Sequence, residues 1–179
     1  MNADPEVHGS ESSTLVFIAL GSNLGDSAQI LREAMARLQA LSEKPLHRSS
    51  LWQTEPVDCP PGSPSFVNAM VAFEPTAGET PESLLVKLQA LEKEFGRHPK
   101  QLQELPNEPR PLDLDLIAFA DEVRHSPALT LPHPRAHLRR FVLAPLAELA
   151  PGLILQGQSL PVSALLASMP PGPGVVRLG

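Results

Sequence analysis

The sequence contains a single cysteine, Cys59, and no tyrosine. One cysteine excludes an internal disulfide and a multi-cysteine metal site, and it favours a reducing compartment. No apolar run is long enough to cross a membrane. Residues 1–13 contain neither Lys nor Arg and no apolar segment, so they do not resemble a signal peptide, and we expect a disordered tail there. We therefore expect a cytoplasmic protein with no membrane partner.

Basic residues are outnumbered, with 14 Lys plus Arg against 20 Asp plus Glu and a net charge of −6. Domains that bind nucleic acid are normally basic, so we expect no nucleic-acid partner. A small RNA-binding or regulatory module of the α+β class would also expose aromatic residues on its strands. With only six Phe and one Trp in the chain, that alternative is disfavoured.

Length and composition fit one domain, with 179 residues of which 42% are hydrophobic. We expect a disordered tail at 1–13, a single domain at 14–170 and a Pro/Gly-rich tail at 171–179. The 21 prolines lie mostly between periodic segments, which predicts long, rigid connections inside the domain.

The hydrophobic pattern predicts alternating strands and helices. The first strand is expected over Thr14 to Leu20, the second over residues 46–54, and the third around residues 67–73. A helix with one apolar stripe follows the first strand, capped by Asp26 or Ser27. A second helix follows the third strand, with Thr80 as N-cap, Pro81 at N1 and Gly96 as its C-terminal stop.

A fourth strand then leads into residues 141–149, which are expected to be helical, and into a last short helix around residues 162–169. The order strand, helix, strand, strand, helix, strand predicts an α+β fold with a ferredoxin-like split βαβ core. We expect a mainly antiparallel sheet with helices on its faces and extra C-terminal helices.

The fourth strand carries the most informative pattern, because its front half alternates apolar and charged residues, and Leu112, Leu114, Leu116 and Ala118 are expected to point into the core. Asp113 and Asp115 alternate with these apolar residues, so both carboxylates point away from the core with Cα atoms ~6–7 Å apart. Like charges one pleat apart weaken a strand unless a cation compensates them, and carboxylate oxygens suit Mg²⁺. The alternative is a half-exposed strand whose charges face water, which is the commoner outcome for two aspartates alone.

Cations flank this strand on both sides. The basic residues nearest to it are Arg97, Lys100 and Arg110 before the strand and Arg135, Arg139 and Arg140 after it, joined by His98, His133 and His137. Neither a GxxxxGK[ST] loop nor a GxGxxG loop is present, so phosphate binding would depend on side chains and a metal. A site for a polyphosphate with Mg²⁺ fits this clustering, whereas solvated surface charges are the alternative.

Four segments together resemble the 6-hydroxymethyl-7,8-dihydropterin pyrophosphokinases of folate biosynthesis. They are FIALGSNLGD, FVNAMVAFE, EPRPLDLDLIAF and LTLPHPRAHLRRFVLAPLAELAP, in that order, and the resemblance runs from about Leu15 to about Leu153. It implies an Mg-dependent diphosphotransferase that moves the β,γ-diphosphoryl group of ATP to the hydroxymethyl oxygen of the pterin and releases AMP. It also implies two Mg²⁺ ions, ATP and the pterin as small-molecule partners, and a monomer.

Matched position by position, the resemblance implies roles for individual residues. Asp113 and Asp115 match the metal ligands, and Arg97, Arg110 and Asp115 are the expected catalytic residues. The expected ATP-binding residues are Arg97, Arg110, His133 and Arg139 by this match, and Lys100 from its place in the basic cluster before the strand. The expected pterin-binding residues are Thr54, Val57, Phe66, Asn68 and Phe141, with the two phenylalanine rings stacking on either side of the pterin.

The chain departs from the family pattern just before the aspartates. Asn107 and Glu108 stand where Trp and Gly are usual, and the loop that begins at Arg97 is longer than in most relatives. A catalytically impaired relative that still binds pterin or nucleotide is therefore the alternative function. We favour an active enzyme, because a decayed one would be expected to lose its metal ligands as readily as its loop residues. Glu92, beside the apolar stripe of its helix, is expected to play a minor role.

Overall fold

The structure is a computed structural model that describes residues 14–99, 102–172 and 174–178. The tail expected at residues 1–13 lies outside these ranges. The strands are β1 (Val16–Ser22), β2 (His47–Arg48), β3 (Trp52–Thr54), β4 (Phe66–Phe73), β5 (Asp113–Phe119), β6 (Arg124–His125), β7 (Thr130–Leu131) and β8 (Val175–Arg177). The helices are α1 (Ser27–Leu38), α2 (Pro81–Glu94), α3 (Arg140–Leu149) and α4 (Val162–Ser168), with short 3₁₀ turns at Gln39–Leu41 and Ala136–Leu138.

An antiparallel sheet forms the middle layer, in the order β5-β1-β4-β3-β8 with β2 also paired to β4. This is the strand order of a split βαβ unit, so the predicted α+β, ferredoxin-like fold is confirmed. The strands β6 and β7 form a separate two-stranded ribbon. Among the described residues, no helix is both long and apolar enough to cross the hydrocarbon layer of a membrane.

Both faces of the sheet are covered by helices. The helices α1 and α2 pack on one face, where Leu31, Met35, Leu84 and Leu88 are fully buried. On the other face α3 and α4 pack against Phe17, Met70 and Ile117. Because residues of β4 alternate between the two clusters, this central strand is buried on both sides, which explains its nearly continuous apolar sequence.

The residues that cap α1 and α2 are those that the sequence predicts. Asp26 caps α1 by accepting a hydrogen bond from the Gln29 N–H. Thr80 and Ser83 form a reciprocal capping box at the start of α2, with Pro81 at the first helical position. Gly96, just past the end of α2, has a φ of 91°, which favours glycine at a C-terminal stop.

The strand expected over residues 46–54 is instead two short strands. Ser49 interrupts the ladder because its hydroxyl accepts the N–H of Met70 at 2.8 Å. The pairing shifts by one residue across this point, from Arg48 opposite Val71 to Trp52 opposite Asn68. A side-chain hydroxyl has therefore replaced a backbone group of the ladder, and the strand bends there.

Two further expectations were wrong. Ala118 was expected on the same face as Leu112, Leu114 and Leu116, but a bulge between Leu116 and Ala118 turns it to the opposite face, beside Ile117. The C-terminal stretch expected only as a Pro/Gly-rich tail contains β8, which pairs with β3 and extends the sheet.

Candidate functional site

Neighbouring strands of the sheet bring Asp113 close to Phe66 and Asn68. Gly21 of β1 lies opposite Asp113 on one side and opposite Asn68 on the other. A Cβ atom at position 21 would lie 3.0 Å from Asn68 Oδ1 and 3.7 Å from the Phe66 ring. Glycine is therefore required at this position by close approach, and its lack of a side chain leaves room for a ligand above the sheet.

Two clefts open on this region. We call the first the aromatic cleft; it encloses about 730 Å³ including solvent at its mouth. The predicted site residues that line it are Thr54, Val57, Phe66, Asn68, Arg110, Asp113, Asp115, Arg139 and Phe141. It also contains Gly21, Asp58, Asn107 and Arg135.

The second cleft, which we call the open cleft, is larger, at about 1520 Å³ including solvent. The predicted site residues that line it are Arg97, Asp113, Asp115 and His133, and its walls include Leu85, Leu116, Leu129 and Pro127. Lys100, predicted to bind ATP, lies outside the described residues. Asp113 and Asp115 therefore line both clefts, and two molecules bound one in each cleft would face each other at this carboxylate pair.

Asp113 is held by two arginines. One of its oxygens pairs with Arg97 in a short contact, and the other lies 3.2 Å from the Arg110 guanidinium. Arg97 also pairs with Glu92 at 2.7 Å. Burial acts to lower the pKa of Arg97, but the Asp113 and Glu92 carboxylates outweigh it, so the pKa of Arg97 is raised. Arg97 is thus a firmly charged group on the open-cleft side.

Asp115 forms no ion pair with any residue in the described ranges. Burial, followed by repulsion from Asp113, raises the pKa of Asp115 to about 7, and Arg139 only partly opposes this. Such a carboxylate is in an unfavourable environment when ionised, and a cation beside it would relieve the cost. The described residues contain no cluster of three or more His, Cys, Asp or Glu able to hold a metal. Two carboxylates with the rest of the shell left to water and phosphate is the kind of donor set that Mg²⁺ takes.

Arg110 is fixed from several directions. Its backbone N–H donates to Asn23 Oδ1 at 2.9 Å, and the Asn23 N–H donates to the Arg110 carbonyl at 3.2 Å. Its guanidinium lies 5.3 Å from the centre of the Phe66 ring, as Arg139 lies 5.5 Å from that of Phe141. Among the described residues, Arg110 Nε is a buried nitrogen with no hydrogen-bond acceptor, which leaves a donor available to a ligand.

His133 is neutral near pH 7. Burial, reinforced by Arg139 and Arg135, lowers its pKa to about 4. Its Nδ1 accepts the backbone N–H of Arg135 at 3.2 Å, which places the remaining proton on Nε2. His133 can therefore donate one hydrogen bond to a ligand in the open cleft without carrying a charge.

Asn68 and Thr54 are linked in the wall of the aromatic cleft. The Asn68 amide nitrogen donates to Thr54 Oγ1 at 2.6 Å, and both residues are buried. Phe66 is also buried, whereas Phe141 is half-buried and Val57 is exposed at the mouth. Phe66 and Phe141 belong to different elements, β4 and α3, and both line the cleft.

Several residues that sequence reasoning missed or undervalued support this site. Glu92, expected to be minor, accepts both the Arg97 guanidinium and the Leu114 N–H, the latter at 2.8 Å, and so fixes an arginine to β5. Asn107 donates from its side-chain amide to the Asp58 carbonyl at 2.8 Å, joining two loops over the aromatic cleft. The bonds from Glu92 to Leu114 and from Asn107 to Asp58 join residues that are distant along the chain, so no local pattern indicates them.

Fold and site together define a class of protein: an α+β domain in which two clefts meet at one pair of carboxylates. The family model for 7,8-dihydro-6-hydroxymethylpterin-pyrophosphokinase matches residues 17–151. The chain belongs to that family.

Similar proteins agree with this assignment. The chain is 39% identical over 157 residues to 2-amino-4-hydroxy-6-hydroxymethyldihydropteridine pyrophosphokinase of Pseudomonas aeruginosa, which covers 87% of this chain and 91% of the relative. It is 38% identical to the protein of the same name from Bacillus subtilis, over 76% of this chain and 78% of the relative. It also matches the folic acid synthesis protein fol1 of Pneumocystis carinii at 34% identity, but over only 18% of that protein's length.

Solved structures confirm the fold. An HPPK-DHPS chain in complex with substrates superposes with a TM-score of 0.67 at 11% identity, over 86% of this chain and 43% of that one. The wild-type HPPK-DHPS of Plasmodium falciparum with pteroate gives 0.66 at 12% identity, over 86% and 44%. The chain spans less than half the length of these structures. The predicted family and its function as a pyrophosphokinase in folate biosynthesis are confirmed, and the comparisons lend no support to an impaired relative.

Proposed function

We propose that this chain transfers the diphosphoryl group of ATP to the hydroxymethyl oxygen of 6-hydroxymethyl-7,8-dihydropterin across the Asp113–Asp115 pair, and that AMP is released. One observation carries the proposal: the same two carboxylates line both clefts, so an acceptor in one and a phosphate donor in the other are brought face to face. Holding two reactants in this way removes most of the entropic cost of their encounter.

The aromatic cleft suits the pterin. Phe66 and Phe141 provide two rings for a flat heterocycle, and aromatic stacking is worth ~1 kcal/mol per pair beyond the area buried. Asn68 is linked to Thr54, which leaves its Oδ1 as an acceptor for the edge of the pterin. Val57, at the mouth, would complete this edge through its backbone.

The open cleft suits ATP. Leu85, Leu116 and Leu129 offer apolar walls for the adenosine. Arg97 and neutral His133 offer donors for the phosphates, and we assign Lys100 to the same task. Arg139 would bind the phosphates from the aromatic-cleft side, near the transferred group.

We assign Asp113 and Asp115 as Mg²⁺ ligands, and we expect two ions. The like-charged pair, the raised pKa of Asp115 and the lack of a third acidic ligand among the described residues all fit this donor set. When bound, Mg²⁺ supplies neutralisation of the phosphate charge that develops in the transfer.

Arg97 and Arg110 are assigned to bind the phosphates beside the proposed metal ligands. In the free protein Arg97 and Arg110 neutralise Asp113. With a cation on Asp113, these guanidinium groups would be free to bind phosphate oxygens. The pterin hydroxyl oxygen would bond to the β-phosphorus, the bond from that phosphorus to the oxygen of AMP would break, and the hydroxyl proton would pass to solvent water. Arg97 and Arg110 stabilise the transferred group, whose charge is spread over its oxygens.

We further infer a cytoplasmic monomer. The single cysteine, the acidic charge and the scattered positions of the exposed apolar side chains support this inference.

The proposal is tested by Asp113→Ala and Asp115→Ala. We expect each variant to form AMP at least about a hundredfold more slowly than the wild type, because the metal loses a ligand. The dissociation constant for the pterin, measured by calorimetry, should change less than about threefold, since stacking does not need the metal. That binding also shows that each variant is folded.

Asp121→Ala is the matched control, because Asp121 is exposed in the turn just past β5. It should behave like the wild type. Turnover near the wild-type rate in either Asp113→Ala or Asp115→Ala would show that the metal assignment is wrong.

A further inference from the structure

The aromatic cleft is lined by three arginines together with the acidic residues Glu55, Asp58, Asp113 and Asp115. Three guanidinium groups line it, those of Arg110, Arg135 and Arg139. The pterin alcohol proposed to bind there carries no negative charge. Arg110 and Arg139 are assigned to the phosphates of the transfer, whereas Arg135 has no role in that assignment.

Two of the three have evident positions in the site. Arg110 pairs with Asp113 and stacks over Phe66, and Arg139 stacks over Phe141. The guanidinium of Arg135, in contrast, forms no hydrogen bond or ion pair with any residue within 14–99, 102–172 or 174–178. Its charge therefore has no structural partner in the described part of the chain.

The backbone that carries Arg135 is nevertheless well fixed. Its N–H donates to His133 Nδ1 at 3.2 Å, and its carbonyl accepts the N–H of Leu138 at 3.1 Å, at the start of the 3₁₀ turn. Arg135 thus projects from a defined point on the wall that also carries Arg139.

Arg135 and Arg139 repel each other on the same wall of the cleft. Burial and then Arg135 lower the pKa of Arg139, with Asp115, Asp113 and Asp58 only partly compensating. Two positive charges are held near each other in a cleft, and an anion between them would relieve the repulsion.

The proposed reaction creates such an anion in this cleft. It converts a neutral alcohol into a diphosphate ester whose pterin end stays between the two phenylalanine rings. We propose that Arg135 binds the diphosphate of the product, so that the aromatic cleft recognises the phosphorylated pterin through Arg135 and Arg139 together. This inference rests on the proposed function, since only the transfer places phosphate on the pterin.

The test compares the affinity for the two pterins. In Arg135→Gln, the dissociation constant of the pterin diphosphate should rise roughly tenfold, the loss expected for one charge-assisted phosphate contact. The dissociation constant of the pterin alcohol should stay within about twofold, since no phosphate is present to contact. Arg135→Lys keeps the charge but not the planar fork, so it should recover part of the loss.

Arg32→Gln is the control for a general loss of positive charge, because Arg32 is exposed on α1, remote from both clefts. It should leave both affinities unchanged. Product affinity unchanged in Arg135→Gln, or an equal loss for the alcohol and the diphosphate, would overturn the inference. The wild-type reaction separates this outcome from a failure of the proposed function: a wild type that forms no AMP would overturn both, whereas an active wild type with an indifferent Arg135→Gln overturns only the product site.

Discussion

Asp115 is the residue whose ionisation is most affected by the fold. Its pKa is raised from an ordinary value of 3.8 to about 7 by burial and by Asp113. The folded, metal-free protein therefore retains a proton on Asp115 at pH values where the unfolded chain has lost it. The contribution of Asp115 to stability is full below about pH 4 and is lost as the pH rises through about 7.

His133 has the opposite dependence. Its pKa is lowered from 6.5 to about 4, so the folded state favours the neutral ring. Its contribution to stability is full above pH 6.5 and is lost as the pH falls through about 4. Between these limits the slopes from Asp115 and His133 have opposite signs, and above pH 6.5 only that of Asp115 remains.

The first prediction at this scale concerns Asp115→Asn without metal. At pH 8 this variant should be more stable than the wild type by roughly 1–3 kcal/mol, because an unfavourable carboxylate has been removed. Added Mg²⁺ should raise the urea midpoint of the wild type at pH 8 and leave that of Asp115→Asn nearly unchanged.

The same urea titrations at pH 5 provide the control, since Asp115 is largely protonated there and the difference between the two proteins should shrink. If the two proteins respond equally to Mg²⁺ at pH 8, Asp115 is not a metal ligand.

At the scale of elements, the two loops over the aromatic cleft are joined by one side chain. Asn107 and Asp58 both adopt left-handed backbone conformations, with φ of 55° and 53°, and the Asn107 amide bonds to the Asp58 carbonyl. Asparagine tolerates this conformation better than most residues, which explains its presence in a turn. Here the amide of Asn107 fixes the loop.

Removing this bond should therefore weaken closure over the pterin. In Asn107→Ala and Asn107→Asp, the KM for the pterin should rise about threefold to tenfold with kcat little changed, the usual worth of one hydrogen bond. Steady-state assays at saturating ATP measure this. Glu104→Gln, in the same loop and exposed, is the control and should match the wild type. An unchanged KM in both Asn107 variants would show that the bond has no part in pterin binding.

A second connection between elements is made by Glu148, in the last turn of α3. Glu148 accepts hydrogen bonds from the Ser50 N–H, the Ser50 hydroxyl and the Trp52 indole at 3.1, 2.7 and 3.0 Å, and it pairs with Arg177 of β8 at 3.3 Å. This one carboxylate thus joins the bend between β2 and β3, the helix α3 and the C-terminal strand.

Glu148→Gln should lower the free energy of unfolding by roughly 1–2 kcal/mol, because a partly buried network loses a charged acceptor. Trp52, the sole tryptophan, reports unfolding by its fluorescence. Glu94→Gln removes an exposed ion pair with Arg37 and should cost less than about 1 kcal/mol. Equal effects of the two substitutions would show that the network does not stabilise the fold.

At the scale of the whole molecule, the sequence predicted what depends on local chemistry. The order of elements, the caps at Asp26 and Thr80 and the two-faced pattern of β5 all follow from neighbouring residues. The hydrophobic pattern cannot reveal register, so the bulge that turns Ala118 to the other face was not foreseen. The strand β8 was missed because it is only three residues long and is defined by its pairing with β3.

In the site, too, features that depend on neighbouring residues were predicted and those that depend on distant contacts were not. Asp113 and Asp115 were indicated by alternation and by flanking cations, whereas Phe66, Phe141 and Asn68 were identified only through the family resemblance. The roles of Gly21 and Glu92 depend on neighbours across the sheet or on another element. No pattern along the chain indicates them.

The account as a whole depends on transfer between two clefts, and the products formed by the purified protein test it most directly. With Mg²⁺, ATP and 6-hydroxymethyl-7,8-dihydropterin, we expect AMP and the pterin diphosphate to form in equal amounts, and neither to form when Mg²⁺ or the pterin is omitted. Chromatography of the nucleotides and pterins measures all four species. ADP in place of AMP, or no nucleotide product while both substrates bind, would contradict diphosphoryl transfer at the Asp113–Asp115 pair.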